Sequence, residues 1–234
     1  MQSAADHIAL GDMATSARDA RAALAHYEAA LQIAPKNYDA LWKASGALID
    51  LGEAETDDKK REGEYARATS YAKTSVAVDS VGADANFAMA RALGRTALTL
   101  GARDRVKYAK DVRASALKAL AADPKHPGAL HVMGVWNAEI MRLNSFVRMV
   151  AKTVLGGAVF GEASWTSAAK YLEQSVAVDP ARAVHHLDLA RVYRDMDRKA
   201  DARVQYELAI KAPLKDANDN LYQKQAADEL KSLK

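Results

Sequence analysis

The sequence predicts an all-α chain built as an array of antiparallel helical hairpins, and three observations carry that expectation. A pattern of small and large residues closed by proline appears near the start as Leu10, Gly11, Ala23, Tyr27, Ala30 and Pro35. It returns near the end as Leu189, Ala190, Tyr193, Ala202, Tyr206, Ala209 and Pro213. Much of the apolar content is alanine, the residue with the highest helix propensity and one that lets helices approach closely. Strand signals are thin, because β-branched and aromatic residues alternate only in segments that also fit a helical period.

Taken in order, the first unit (4–37) reads as helices over 4–16 and 18–33, with Ser16 or Asp19 near the second start. The second (38–82) opens with a helix over 38–51 that packs Leu41, Ala44, Ser45 and Leu48 and ends at Gly52. The charged run 53–62 then reads as a solvated helix start, with Thr56 as N-cap and Asp57 and Asp58 where the helix dipole favours acids. An interaction tail is the other reading of that run. The third unit (83–126) sets Phe87, Met89, Ala90 and Leu93 on one side of its first helix. Gly101 lies between its helices, and Val106, Val112, Ala116 and Leu120 lie on one side of the second.

In the fourth unit (127–182) helix propensity is unbroken over 128–155. That predicts a helix of up to ~28 residues, or ~42 Å, before Gly156, Gly157 and Gly161 turn the chain back to Ser164 and Trp165. The fifth unit (183–216) is regular. Residues 217–234 read as a capping helix with Leu221, Ala226, Leu230 and Leu233 inward. The closing positions Pro35, Ser80, Pro124, Pro180 and Pro213 lie 45, 44, 56 and 33 residues apart. Against a unit of about 34 residues, the middle excesses approximate whole numbers of helical turns. Long-armed hairpins follow, rather than short ones with long loops. The whole chain, 1–234, reads as one domain.

These spacings resemble the tetratricopeptide template, which implies a right-handed superhelix of about five hairpins whose first helices line a concave groove. Three further segments narrow the resemblance: His131-Val132-Met133-Gly134-Val135-Trp136, Ala169-Lys170-Tyr171-Leu172-Glu173-Gln174 and Leu187-Asp188-Leu189-Ala190-Arg191-Val192-Tyr193. They are similar to the regulator of microtubule dynamics family of tetratricopeptide proteins. Glycines 156 and 157 stand where that family usually has Pro-Pro. Animal members are linked to microtubules, mitochondria and membranes; the alanine-rich, cysteine-free composition here is of a bacterial type.

The resemblance implies which side chains face the groove: Ile8, Asp12, Trp42, Ile49, Phe87, Arg91, Arg95, His131, Val135, Glu139, Leu187, Arg191 and Arg194. Arginine suits bidentate capture of carboxylates, so a peptide or protein partner is the first expectation. The alternative is that these arginines are solvated and paired with Asp84, Asp188 and Asp195. A second functional reading puts the interaction in the apolar extension 143–165, through Phe146, Val150, Val154 and Phe160, against a membrane surface or a second copy of the chain. The alternative there is packing on the neighbouring hairpin.

Other chemistry is disfavoured. With 33 basic and 30 acidic residues interspersed, net charge is +3, and nucleic acid is not expected. The absence of cysteine removes disulfides and thiolate sites. His185 and His186 are adjacent and lack a ligand partner one turn on, so no metal site is expected. No nucleotide loop, catalytic nucleophile or cofactor motif stands out, and a non-enzymatic scaffold is the expectation. Arg148, Lys152 and the glycine pair interrupt the longest apolar span, which argues against a membrane-crossing helix. The first six residues have no signal-peptide pattern, so the chain reads as cytoplasmic as given, or as the mature form of an exported protein.

Overall fold

The helices begin where short polar side chains accept bonds from backbone amides. Ser3 and Asp6 form a reciprocal capping box at the head of α1 (Ala4–Ser16). Asp19, Asn37 and Asp57 cap α2 (Ala20–Ile33), α3 (Tyr38–Ala54) and α4 (Asp58–Val78), each accepting from the amide three residues on. Glycines 82 and 101 precede α5 (Ala83–Leu98) and α6 (Ala102–Ala122). At α7 (Pro127–Arg142), His126 Nδ1 accepts from the Ala129 amide and proline occupies the first turn. A 3-10 turn (Ala158–Gly161) leads to α8 (Trp165–Val178), capped by Ser164, then to α9 (Ala183–Asp195), α10 (Lys199–Lys211) and α11 (Asp219–Ser232).

This computed structural model describes residues 2–144 and 158–233. Among them are eleven α-helices and no strands. Consecutive helices pair as hairpins, and each hairpin packs on the next. One contact recurs within the pairs: a Cβ at Gly11, Gly52 or Gly134 would lie only 2.4–2.5 Å from Tyr27, Tyr65 or Leu172 respectively. Only a hydrogen fits between those helices. Tyr206, on the second helix of the last hairpin, is fully buried.

Two apolar clusters dominate the ends. Leu24, Tyr27, Leu41, Leu48, Ile49 and Tyr65 belong to the N-terminal one, and Leu172, Leu187, Leu189, Tyr206 and Tyr222 to the C-terminal one. The two share no residue; smaller clusters around Trp136 and Met133 lie between.

The second and third hairpins are lengthened in their helices, with 17 residues in α3 and 21 in each of α4 and α6, against 13 or 14 in α1, α2, α9 and α10. Several boundaries differ from expectation. The second helix starts at Ala20 rather than residue 18, because Arg18 adopts φ 64° to close α1. Asp197 repeats this at φ 59° after α9, and in both turns the next amide, of Asp19 or Arg198, bonds the carbonyl five residues back. Gly52 does not end α3; it lies inside the helix, where Tyr65 needs the space, and the N-cap of α4 is Asp57 rather than Thr56. The single helix expected over 128–155 stops at Arg142, where Leu143 turns extended; the rest of that stretch lies outside the described residues.

Candidate functional site

The first helices of the last three hairpins turn one side toward a shared interior. Phe87, Arg91 and Arg95 on α5, His131, Val135 and Glu139 on α7, and His185 and Asp188 on α9 surround a cavity of about 170 Å³. Its floor is apolar: Val106 and Val112 come from α6, Trp136 and Ile140 from α7. The Trp136 indole donates to the Ala109 carbonyl at 2.7 Å, which meets its one donor while the ring is buried. A second, polar cleft of about 260 Å³ adjoins the cavity, with Glu53, Arg95, Glu139, Arg142, Asp188 and Arg191 on its walls. Val135 and Tyr222 line both spaces.

The arginines of this face are all matched by the chain's own carboxylates. Arg91 meets Asp50 at 2.6 Å and Arg95 meets Glu53 at 2.5 Å. Arg191 bridges Asp188 and Glu229 at 3.0 and 2.6 Å, and Arg194 reaches Glu229 at 2.8 Å. Arg142 joins Glu139 to Asp195, and Arg105 takes the other oxygen of Glu139. Burial alone would raise the Asp188 carboxyl, but the His131 bond and the Arg191 and Arg95 charges hold it well below the usual range. Glu53 is likewise buried, yet Arg95, Arg91 and the bonds from Tyr222 and Asn218 keep it low. His185 goes the other way: burial, with His131 and Arg182 nearby, pushes its imidazole down to about 2. It stacks on His131 at 4.9 Å, and its Nδ1 is buried with no hydrogen-bond partner among the described residues.

Of the residues expected to face a partner, Phe87, Arg91, Arg95, His131, Val135 and Glu139 come together around the cavity, and Arg191 joins at the cleft. Arg194 lies beside it, bonded to Glu229 and Tyr206. Leu187 does not face the groove: it is fully buried in the C-terminal cluster, as is Ile49 in the N-terminal one. Trp42 stands apart, its indole donating to Asp39 at 3.3 Å with Lys43 over the ring, and Asp12 is tied to Lys43 at 2.7 Å. Ile8 packs at the edge of the N-terminal cluster.

Within the extension, Phe160 turns inward and stacks on Trp136 at 6.5 Å, because the apolar floor of the third and fourth hairpins needs it there. Phe146, Val150 and Val154 lie outside the described residues. Of the carboxylates expected to pair with the arginines, Asp188 and Asp195 do so, while Asp84 sits 3.5 Å from His126 instead.

Sequence reasoning missed Asp50, Glu53, Asn218, Tyr222 and Glu229. Glu53 opened a run that looked solvated, but only 6% of its side chain is exposed. Asn218 donates to the Asp50 carbonyl at 2.9 Å and to Glu53 at 3.2 Å, and the Tyr222 hydroxyl donates to Glu53, across more than 160 residues of chain. The only signal was that Tyr222 and Glu229 lie seven residues apart, on one stripe of an amphipathic helix.

Comparison with known proteins places this arrangement. The family model described as regulator of microtubule dynamics protein 1-3 matches residues 3–234. No individual curated protein matches the sequence. Among solved structures, TTC0263, a thermophilic tetratricopeptide protein of Thermus thermophilus, is similar with a TM-score of 0.69. Sequence identity is 20%, over 96% of this chain and 99% of that one. A MamA RS-1 double mutant is similar with a TM-score of 0.50 and 13% identity, over 89% of this chain and 93% of that one. The fold is therefore tetratricopeptide-like, and the chain belongs to the regulator of microtubule dynamics protein 1-3 family.

Proposed function

We propose that the chain is a non-enzymatic scaffold that holds a peptide or protein segment on its concave face. One observation supports this above the rest: the first helices of three successive hairpins build a single recess, apolar at depth and charged at the rim. That layout suits a segment that buries one apolar side chain and lays its polar backbone across the mouth. The rim charges are already paired, so they act as oriented polar groups rather than as open anion traps. Recognition then rests on shape and on hydrogen bonds more than on net charge.

A photoreactive amino acid at Val135, which lines both spaces, should give adducts of defined mass in the native cell. The same label at Val204, 53% exposed on α10, should not. Filling the cavity with Val132→Trp should abolish the Val135 adduct while circular dichroism stays unchanged. Equal labelling at both positions, or none at Val135, would remove this reading.

A further inference from the structure

We infer that the array is closed into a ring by a polar seam between α3 and α11, and that parting of this seam admits a partner to the cavity. The inference rests on the concave-face reading above and adds how that face is reached.

The seam is made of few side chains. Asn218 and Tyr222, at the head of α11, bond Asp50 and Glu53 at the tail of α3. Arg91 and Arg95 support those acids from behind. Tyr222 lines both the cavity and the cleft, and Asn218 and Asp50 line the cavity, so the seam is a common wall of the two spaces among the described residues.

Among the described residues, no apolar cluster spans the two sides. Tyr222 and Ala226 pack with the C-terminal cluster, while the α3 residues belong to the N-terminal one, and the clusters have no member in common. Parting α11 from α3 therefore exchanges protein hydrogen bonds for bonds to water without exposing a hydrophobic core. Water replaces such contacts on opening, so their net free energies are far below their gross strength, and subglobal openings concentrate where few apolar contacts are lost.

The same first turn of α11 is anchored more firmly on its own side. Asp219 accepts from the Lys215 and Asp216 amides at 2.6 Å each, and Arg182 holds Asp216 at 2.6 Å. The start of α11 thus stays with α9, and the C-terminal cluster holds both to α7 and α8, so opening is taken up as small rotations at the hairpin interfaces rather than as a break in that cluster. At about 170 Å³ the cavity is smaller than most ligand pockets, so an occupant that needs more room takes its place in the open form and its apparent affinity scales with the open fraction.

The absence of cysteine makes this directly measurable. A single thiol placed at Val112→Cys, on the cavity floor, is tested with a maleimide in two backgrounds: the otherwise natural full-length chain and one carrying Asn218→Ala with Tyr222→Phe. The double substitution removes the three seam bonds and keeps the aromatic ring. Labelling is expected to accelerate by about tenfold or more in the seam variant. A thiol at Ser75→Cys, fully buried in α4 away from the cavity, should label at the same slow rate in both backgrounds, which separates seam opening from global unfolding. Equal Val112→Cys rates in the two backgrounds, or equal acceleration at Ser75→Cys, overturns the inference.

The Val135 cross-link decides the underlying reading separately. Adducts together with unchanged thiol rates retain the concave site and discard the seam as its entrance. Faster thiol labelling without adducts in either background retains the seam and discards the concave site.

Discussion

His185 and Asp216 face the same interior, and burial moves them in opposite directions. The imidazole of His185 is pushed to about 2 from an ordinary 6.5, so the folded chain keeps it neutral where the unfolded chain takes up a proton. Its contribution to stability is complete above pH 6.5 and is lost as pH falls below that. Burial raises the Asp216 carboxyl to about 6 from an ordinary 3.8, despite Arg182. The folded chain therefore holds that proton longer than the unfolded one, and stability declines as pH rises from about 4 to about 6. Each group gives a slope of about 1.4 kcal/mol per pH unit in that window, and the two oppose. Asp50, also raised by burial, sides with Asp216; the depressed acids Asp188, Glu53 and Glu229 lose their protons at lower pH. Urea titrations between about pH 4 and 6 should show a more positive slope of stability with pH in Asp216→Asn than in the natural chain, and a more negative one in His185→Phe. Parallel slopes in the two variants would show that these groups do not titrate as assigned.

At the scale of the helix, two glycines separate intrinsic propensity from packing. Gly63 lies exposed inside α4 with open space where an added methyl would stand, so Gly63→Ala should stabilise by about 0.5–1 kcal/mol. Gly134 lies inside α7 under Leu172, whose Cγ would be 2.4 Å from an added Cβ, with the Ala168 carbonyl at 3.2 Å. Gly134→Ala should therefore destabilise by about 1–3 kcal/mol although the helix itself would favour alanine. Thermal melts of both variants settle the signs. Helix positions were largely legible because caps such as Asn37 and Ser164 and the alanine-rich faces are local features. The misplaced ends were not: Gly52 reads locally as a stop, and only the ring of Tyr65 explains why the helix continues through it. Arg18 likewise gives no local sign of its left-handed turn.

Over the whole molecule, closure through the α3–α11 seam limits how far the hairpin array can extend. Small-angle scattering of Asn218→Ala with Tyr222→Phe should give a larger radius of gyration than the natural chain at unchanged helicity. An identical scattering curve would mean that other contacts hold the ring.

The repeat of small, large and closing residues determined by itself that the chain is an array of helical hairpins, since that information lies in spacings of three, four and about 34 residues along one chain. It also singled out Phe87, Arg91, Arg95, His131, Val135 and Glu139, because a fixed register repeats the same face in every unit. The tertiary structure alone decided that Asp50 and Glu53 neutralise the inner arginines and that Asn218 and Tyr222 close the ring. The curvature that brings residues 53 and 222 together is the sum of small rotations at every hairpin interface, and no short-range pattern encodes that sum.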